Sequence, residues 1–393
     1  MRKTSSRRLS AGSGGHAGVP VVAACVLALL ACGGVRAQEA PIPADEAAEA
    51  ELLRIAGDGF RIERTDHFVI AHNTSPEVLR SFLIRAERTY DAVFRFCRAG
   101  EIPVQPPSHR LAILFFDRPE EFTQYGGRIG FSNPVASGIF SIHLNRAAFF
   151  NTEHTPKMSE LSAVISGLEE RLAGGGGLGS DERRTVRRRL QRARNQREQY
   201  VTQINQLVIQ HEVAHQVLYN IGVHTVGAQN PTWLAEGLAC LFETPPGRSG
   251  AGFAAVNQAR LRDFRACLTA GGLTRLPQAG NLEHAYRSGQ LVPLKQLIGD
   301  AGFLARGGNP NIANHYAQAW SLVFHLQRTQ QKAFARYIQT IARRTPDDRF
   351  TEQQEIEAFE AAFGPIDSRF EQRWVSSILG LPYRPGEIAD PGL

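Results

Sequence analysis

No stretch constrains the chain more than residues 200–220. It holds neither proline nor glycine, and Ile204, Leu207, Val208, Val217 and Leu218 recur at helical spacing. At its centre stands His211-Glu212-Val213-Ala214-His215. On a helix, residues four apart lie one turn apart on one face. Two imidazoles so placed can meet one Zn²⁺ at about 2.0–2.1 Å each. Glu212 follows the first histidine and can act on water beside the ion without ligating it. Two buried histidines without a metal would each need another hydrogen-bond partner. The segment therefore reads as a metal helix, with His211 and His215 as ligands of one zinc ion and Glu212 as a base.

The 393 residues suffice for one large domain or two ordinary ones, and 42% hydrophobic with 21% charged is a globular composition. The net charge of +6 is concentrated at the start: residues 1–37 hold Arg2, Lys3, Arg7, Arg8 and Arg36 and no acid. The remainder has 39 basic and 38 acidic residues, which gives no ground for a nucleic-acid partner. The basic start precedes an apolar run, Val21 to Ala31, too short for a comfortable membrane span. Residues 1–37 thus read as an export signal. Val35-Arg36-Ala37 fits cleavage by small-residue recognition, whereas Leu29-Leu30-Ala31-Cys32 resembles a bacterial lipobox. The second reading ends the signal at residue 31, and a lipid on Cys32 would tether the chain to a membrane. In either version the body is expected in the cell envelope, periplasm or medium. Cys97, Cys240 and Cys267 remain; an odd number is no disulfide framework, one bridge such as Cys240–Cys267 stays open, and without C-x-x-C a site built on cysteines is not expected.

Pattern along the chain predicts an α+β fold: a small N-terminal sheet with helices, then the zincin-like metal helix and a mostly helical C-terminal part. Residues 38–56 read as a linker with the start of a short helix, 57–375 as the catalytic region and 376–393 as a tail. Strands are expected at His67–Ala71, Leu111–Phe116 and Gly138–Leu144. A helix should run from Pro76 to about Arg98, capped by Ser75. A second helix is expected over Thr232–Glu243, and further ones near Phe253–Leu268, Tyr316–Arg328, Lys332–Ala342 and Ile356–Phe363. Residues 152–205 look inserted: a helix from Met158 to Leu172, a glycine run, then a helix capped by Ser180-Asp181. That second helix carries Arg183, Arg184, Arg187, Arg188, Arg189, Arg192, Arg194 and Arg197 with no intervening acid. The simpler expectation is a solvated face paired partly with Glu169 and Glu170; the alternative is a basic arm for anionic lipid, cell-wall polymer or a partner.

A catalytic zinc usually takes three protein ligands. Six residues beyond His215 stands Ile221, which excludes the metzincin histidine. Glu236 is the expected third ligand, because Ala235, Gly237 and Ala239 allow close helix packing around it. Glu243, beside the Pro245-Pro246 break, is expected to cap the helix or face solvent. HEVAH followed by Pro231-x-Trp233-Leu234-x-Glu236-Gly237-x-Ala239 resembles the gluzincin metallopeptidases. More narrowly it resembles the peptidase-MA-like group of exported bacterial proteins labelled DUF1570. The strand at Phe68 and Tyr316-x-x-Ala319-Trp320 fit that group, over roughly residues 60–375. The resemblance implies His211, His215 and Glu236 as zinc ligands and Glu212 as base. Where thermolysin-like members carry an aspartate four residues after the glutamate ligand, this chain has Cys240, so a different residue must orient the histidine.

The expected activity is zinc-dependent hydrolysis of a peptide or protein substrate. Tyr316 is the candidate donor to the developing oxyanion, with His315, His284 and His224 behind it. Two rivals stand beside it. One is a non-catalytic envelope scaffold whose zinc is closed by a fourth ligand, for which Cys240 alone is placed. The other is a hydrolase of a non-protein amide.

Overall fold

A computed structural model describes residues 42–131, 136–174, 177–244, 255–269, 278–305 and 309–385. The export signal and Cys32 lie outside them. From Ile42 onward the chain forms one unit.

Alternation of apolar side chains builds a five-stranded mixed sheet, and its two faces collect different elements. The strands are β1 (Arg61–Arg64), β2 (Phe68–His72), β3 (Leu111–Phe116), β4 (Gly138–Ser141) and β5 (Arg146–Phe150), in the order β1-β2-β3-β5-β4. β2, β3 and β5 pair in parallel, and β1 and β4 join as antiparallel edges. Successive residues of a strand point to opposite faces. Val69, Ala71, Leu114, Phe116, Ala148 and Phe150 accordingly pack with Leu52 of α1 (Glu46–Ala56) and with Phe122 and Tyr125 of α3 (Pro119–Arg128). Phe68, Ile70, Ile113, Phe115, Ala147 and Phe149 face the main core, with Phe82 and Val93 of α2 (Pro76–Ala99). Each buried phenylalanine contributes about 1.5–3 kcal/mol relative to an exposed one.

Beyond the sheet the chain is helical among the described residues: α4 (Pro156–Ala173), α5 (Ser180–Ile204), α6 (His211–Asn220), α7 (Thr232–Phe242), α8 (Gln258–Cys267), α9 (Leu282–Arg287), α10 (Leu294–Gly299), α11 (Ile312–Thr329), α12 (Gln331–Ala342), α13 (Glu352–Phe363) and α14 (Ser368–Leu379). The α+β architecture is as the pattern predicted, and the Ser75 hydroxyl caps α2. None of these helices is long and apolar enough to cross a membrane.

Four assignments differ from the sequence reading. Edge strand β1 was not anticipated, while the short helix expected to start within residues 38–56 is α1, anchored by buried Leu52 and by the Glu49–Arg64 ion pair. The strand expected to reach Leu144 ends at Ser141, because Asn145 adopts φ 45° in a tight turn into β5. β5 itself escaped notice, since Ala147 and Ala148 carry little strand propensity. The expected tail, from residue 376, takes in the last four residues of α14, of which Ile378 is buried.

Two features hold α7 in place. Arg344 and Glu355, both buried, form a two-pronged ion pair at 2.6 and 2.8 Å. The same guanidinium donates to the Gln229 carbonyl at 2.8 Å and so ties down the loop entering α7. In α7, Gly237 lies directly against α11: a Cβ there would stand 2.5 Å from Val323 Cγ2 and 2.7 Å from the Ala319 carbonyl. In a solvated helix, Gly→Ala gains about 0.5–1 kcal/mol. Here the clash with a backbone carbonyl outweighs that gain. Gly237→Ala should lose about 1–3 kcal/mol, read as a lower urea midpoint at unchanged slope. A raised midpoint would show that the two helices do not approach this closely.

Candidate metal centre

The metal helix is the end of a longer one. α5 passes into α6 through a π-helical segment, Asn205–Gln210. Such a segment re-aims the side chains that follow and is frequent at functional sites. Gln210, its last residue, uses both ends of its amide. Nε2 donates to the carbonyls of Phe242 and Thr244, and Oε1 accepts from Arg85 of α2 at 3.0 Å. This clamps the start of α6 to the end of α7. Gln216 Nε2 donates to the Ala112 carbonyl of β3 at 2.9 Å. Asn220 and Asn145 exchange hydrogen bonds at 2.7 and 2.8 Å, fixing the far end to the β4–β5 turn.

Three acceptor atoms converge between α6 and α7. His211 Nε2 is 3.1 Å from Glu236 Oε2 and 3.1 Å from His215 Nε2; His215 Nε2 is 3.3 Å from the same carboxylate oxygen. Ligands at about 2.0–2.1 Å in tetrahedral geometry stand about 3.3 Å apart, so the three edges fit one zinc-sized ion. Proton accounting supports the same conclusion. His211 Nδ1 donates to Glu243 Oε1 at 2.8 Å. In the neutral ring its Nε2 is then a bare lone pair, aimed at a carboxylate oxygen and near a second imidazole nitrogen. Burial lowers the His211 pKa, but the contacts with Cys240, Glu236 and Glu243 outweigh it and raise it overall. Burial likewise pushes the Glu236 carboxyl up, and His215 and His211 more than reverse this. The cluster favours a positive charge at its centre, which a proton on an imidazole or a bound cation can supply. The residues that sequence singled out, His211, His215 and Glu236, thus come together as a group able to hold a metal.

Glu243 corrects the sequence reading. It was expected to cap α7 or face solvent; it does stand at the C-cap of α7, but it is 3% exposed and at the heart of the site. Seven residues after Glu236 is two turns, which returns Glu243 to the same side, facing the other nitrogen of His211. Its oxygens also accept from Arg260 Nε (2.8 Å) and Nη2 (2.7 Å) and from Asn257 Nδ2 (2.9 Å). Burial raises its pKa, but Arg260 and His211 outweigh burial and hold it at about 2. The carboxylate therefore stays charged and fixes the proton of His211 on Nδ1. His211, Cys240 and Glu243 form a second cluster of potential ligands. Arg260 already occupies it with positive charge, and burial raises the Cys240 pKa and keeps it a thiol. Cys240 donates weakly to Glu243 Oε1 at 3.5 Å, on the Nδ1 side of His211, so it does not close the centre. Cys97, Cys240 and Cys267 are all free and buried.

Residues 205–348 match the family described as "Protein of unknown function (DUF1570)". No curated protein matches the chain. The matched stretch begins in the π segment and takes in both ligand-bearing helices, Arg260, Tyr316 and Arg344. The sheet and most of the α4–α5 insert lie outside it.

Within the matched stretch, Glu212 Oε2 accepts the backbone N–H of Phe140 on edge strand β4 at 2.8 Å. Its other oxygen has no hydrogen bond among the described residues. The Tyr316 ring lies 6.2 Å from that of His211, with the Arg260 guanidinium 5.5 Å over it. The charge of Glu236, and then burial, raise the Tyr316 pKa, so the phenol keeps its proton as a donor. His224 is buried with neither ring nitrogen bonded among the described residues; burial and then the charge of His215 hold its pKa down at about 3. His315 turns aside to Asn309 at 2.8 Å, and His284 is exposed. A cavity of about 490 Å³ opens beyond Tyr219, between Ile142, Asn230, Thr232 and Phe350.

Metal analysis of purified variants tests this assignment. Glu236→Ala should abolish stoichiometric metal, and Cys240→Ala should retain it. Glu243→Gln should weaken affinity about 10–100-fold in a chelator competition. Unchanged affinity in Glu243→Gln would remove its orienting role.

Proposed function

We propose that the chain is a gluzincin-type zinc peptidase acting outside the cytoplasm on a peptide or protein substrate. The observation that carries this is Glu212 beside a centre of two imidazoles and one carboxylate, its own carboxylate held by edge strand β4. A purely structural site has no use for that carboxylate. His211, His215 and Glu236 would hold the zinc. When bound, it supplies Lewis acidity that lowers the pKa of water towards about 7 and polarises a carbonyl.

The chain's own residues supply the rest. Glu212 takes a proton from the attacking water and delivers it to the leaving amine as the carbon–nitrogen bond breaks. The Phe140 N–H fixes the rotamer in which it does so. Tyr316, protonated and near His211, donates to the oxygen on which negative charge develops. An extended substrate suits this place, since edge strand β4 borders Glu212.

In a peptide-library digest, Glu212→Gln should lower kcat about 10²–10⁴-fold with metal content unchanged. Tyr316→Phe should lower kcat with little change in KM. Full turnover by Glu212→Gln would overturn the proposal.

A further inference from the structure

The hairpin of α4 and α5 takes no part in this chemistry. Its helices pack chiefly on each other, through Met158 and Leu161 of α4 and Val186, Leu190 and Ala193 of α5. At about 100° per residue, these last three define the inner face of α5. Arg184, Arg188 and Arg192 fall on the opposite face and Arg187 on its edge, along about 12 Å of helix, and all four are exposed. Arg194, beside it, and Arg197, nearer the inner face, pair with Glu169 at 2.6 Å and Glu153 at 2.7 Å. The four outward arginines form no ion pair among the described residues. Gln191 and Asn195 share their face and bond each other at 2.9 Å, and no acid occurs between Arg183 and Arg197. Across the hairpin, α4 presents exposed Glu160, Glu169 and Glu170, of which Glu160 is engaged by Lys157 and Glu169 by Arg194.

We infer that the outward face of α5 docks on an anionic phospholipid membrane. Apart from the eight arginines of this helix, residues 38–393 hold 31 basic and 38 acidic residues. An anionic surface therefore attracts the arm and repels the body, which orients the molecule arm-first. The face is convex and one helix wide, which suits a flat surface. No aromatic side chain occurs between Ala173 and Gln199, so the base stacking that single-stranded nucleic acid requires is lacking. No apolar side chain shares the outward face from Arg184 to Asn195, so the contact is electrostatic and salt-sensitive rather than inserted.

The test is co-sedimentation of the full chain with vesicles of phosphatidylglycerol and phosphatidylcholine, against phosphatidylcholine alone. The wild type should bind the anionic vesicles and release at about 0.5 M salt, where the screening length is a few ångströms. Arg184→Gln, Arg187→Gln, Arg188→Gln and Arg192→Gln combined should weaken binding on the order of 1,000-fold. A control that neutralises the equally exposed Arg80, Arg98, Arg336 and Arg369 to glutamine should bind like wild type. Absence of any preference for anionic vesicles by the wild type would overturn the inference. So would an equal loss in the control, or arm-dependent binding confined to soluble polyglutamate.

Discussion

A neutral imidazole has one proton and one lone pair, and His211 commits each to a different carboxylate. Glu243 takes the proton at Nδ1, and the lone pair at Nε2 faces Glu236. Everything else at the centre follows from that division. If Glu243 lost its charge, the proton could move to Nε2 and the ligand would be blocked. Arg260 prevents this by meeting both oxygens of Glu243. The arginine is stable there because it is paired; a buried charge without a partner would cost several kcal/mol. One cation thus secures one carboxylate, which secures one proton, which leaves one lone pair for a metal.

The fold makes this division rigid. Gln210 locks the start of α6 to the end of α7, so the two histidines and the two glutamates cannot slide past one another. Gly237 lets α11 come within contact of α7, and α11 brings Tyr316 alongside His211. The sheet contributes less chemistry but sets the border. Through Phe140 it holds Glu212, and through Ala112 it holds the metal helix.

What the sequence made legible was whatever repeats locally. Short apolar runs marked β2 and β3, period-two alternation marked β4, and a helical stripe with a serine cap marked α2. The histidines and Glu236 were legible because their spacing on helices is itself the chemistry. β1 and β5 were hidden: the first is a charged edge, and the second depends on its neighbours to bury two alanines. α1 was half legible, as the start of a short helix, because Ala- and Glu-rich composition describes a linker equally well, and only Leu52 and the Arg64 pair decide the matter. The role of Glu243 was half legible. Its seven-residue spacing from Glu236 placed both on one side, yet the adjacent Pro245-Pro246 suggested a helix end open to solvent. What buries it is Arg260, a long-range partner on α8 that no local pattern links to Glu243.

The central claim is that zinc takes nitrogen and oxygen ligands on the Nε2 side of His211, leaving Cys240 and Glu243 on the other side. X-ray absorption at the zinc edge of the reconstituted protein reads this directly. The account predicts a first shell of nitrogen and oxygen at about 2.0–2.2 Å, with the imidazole scattering of two histidines. A sulfur shell at about 2.3 Å would place the metal at Cys240 and contradict it.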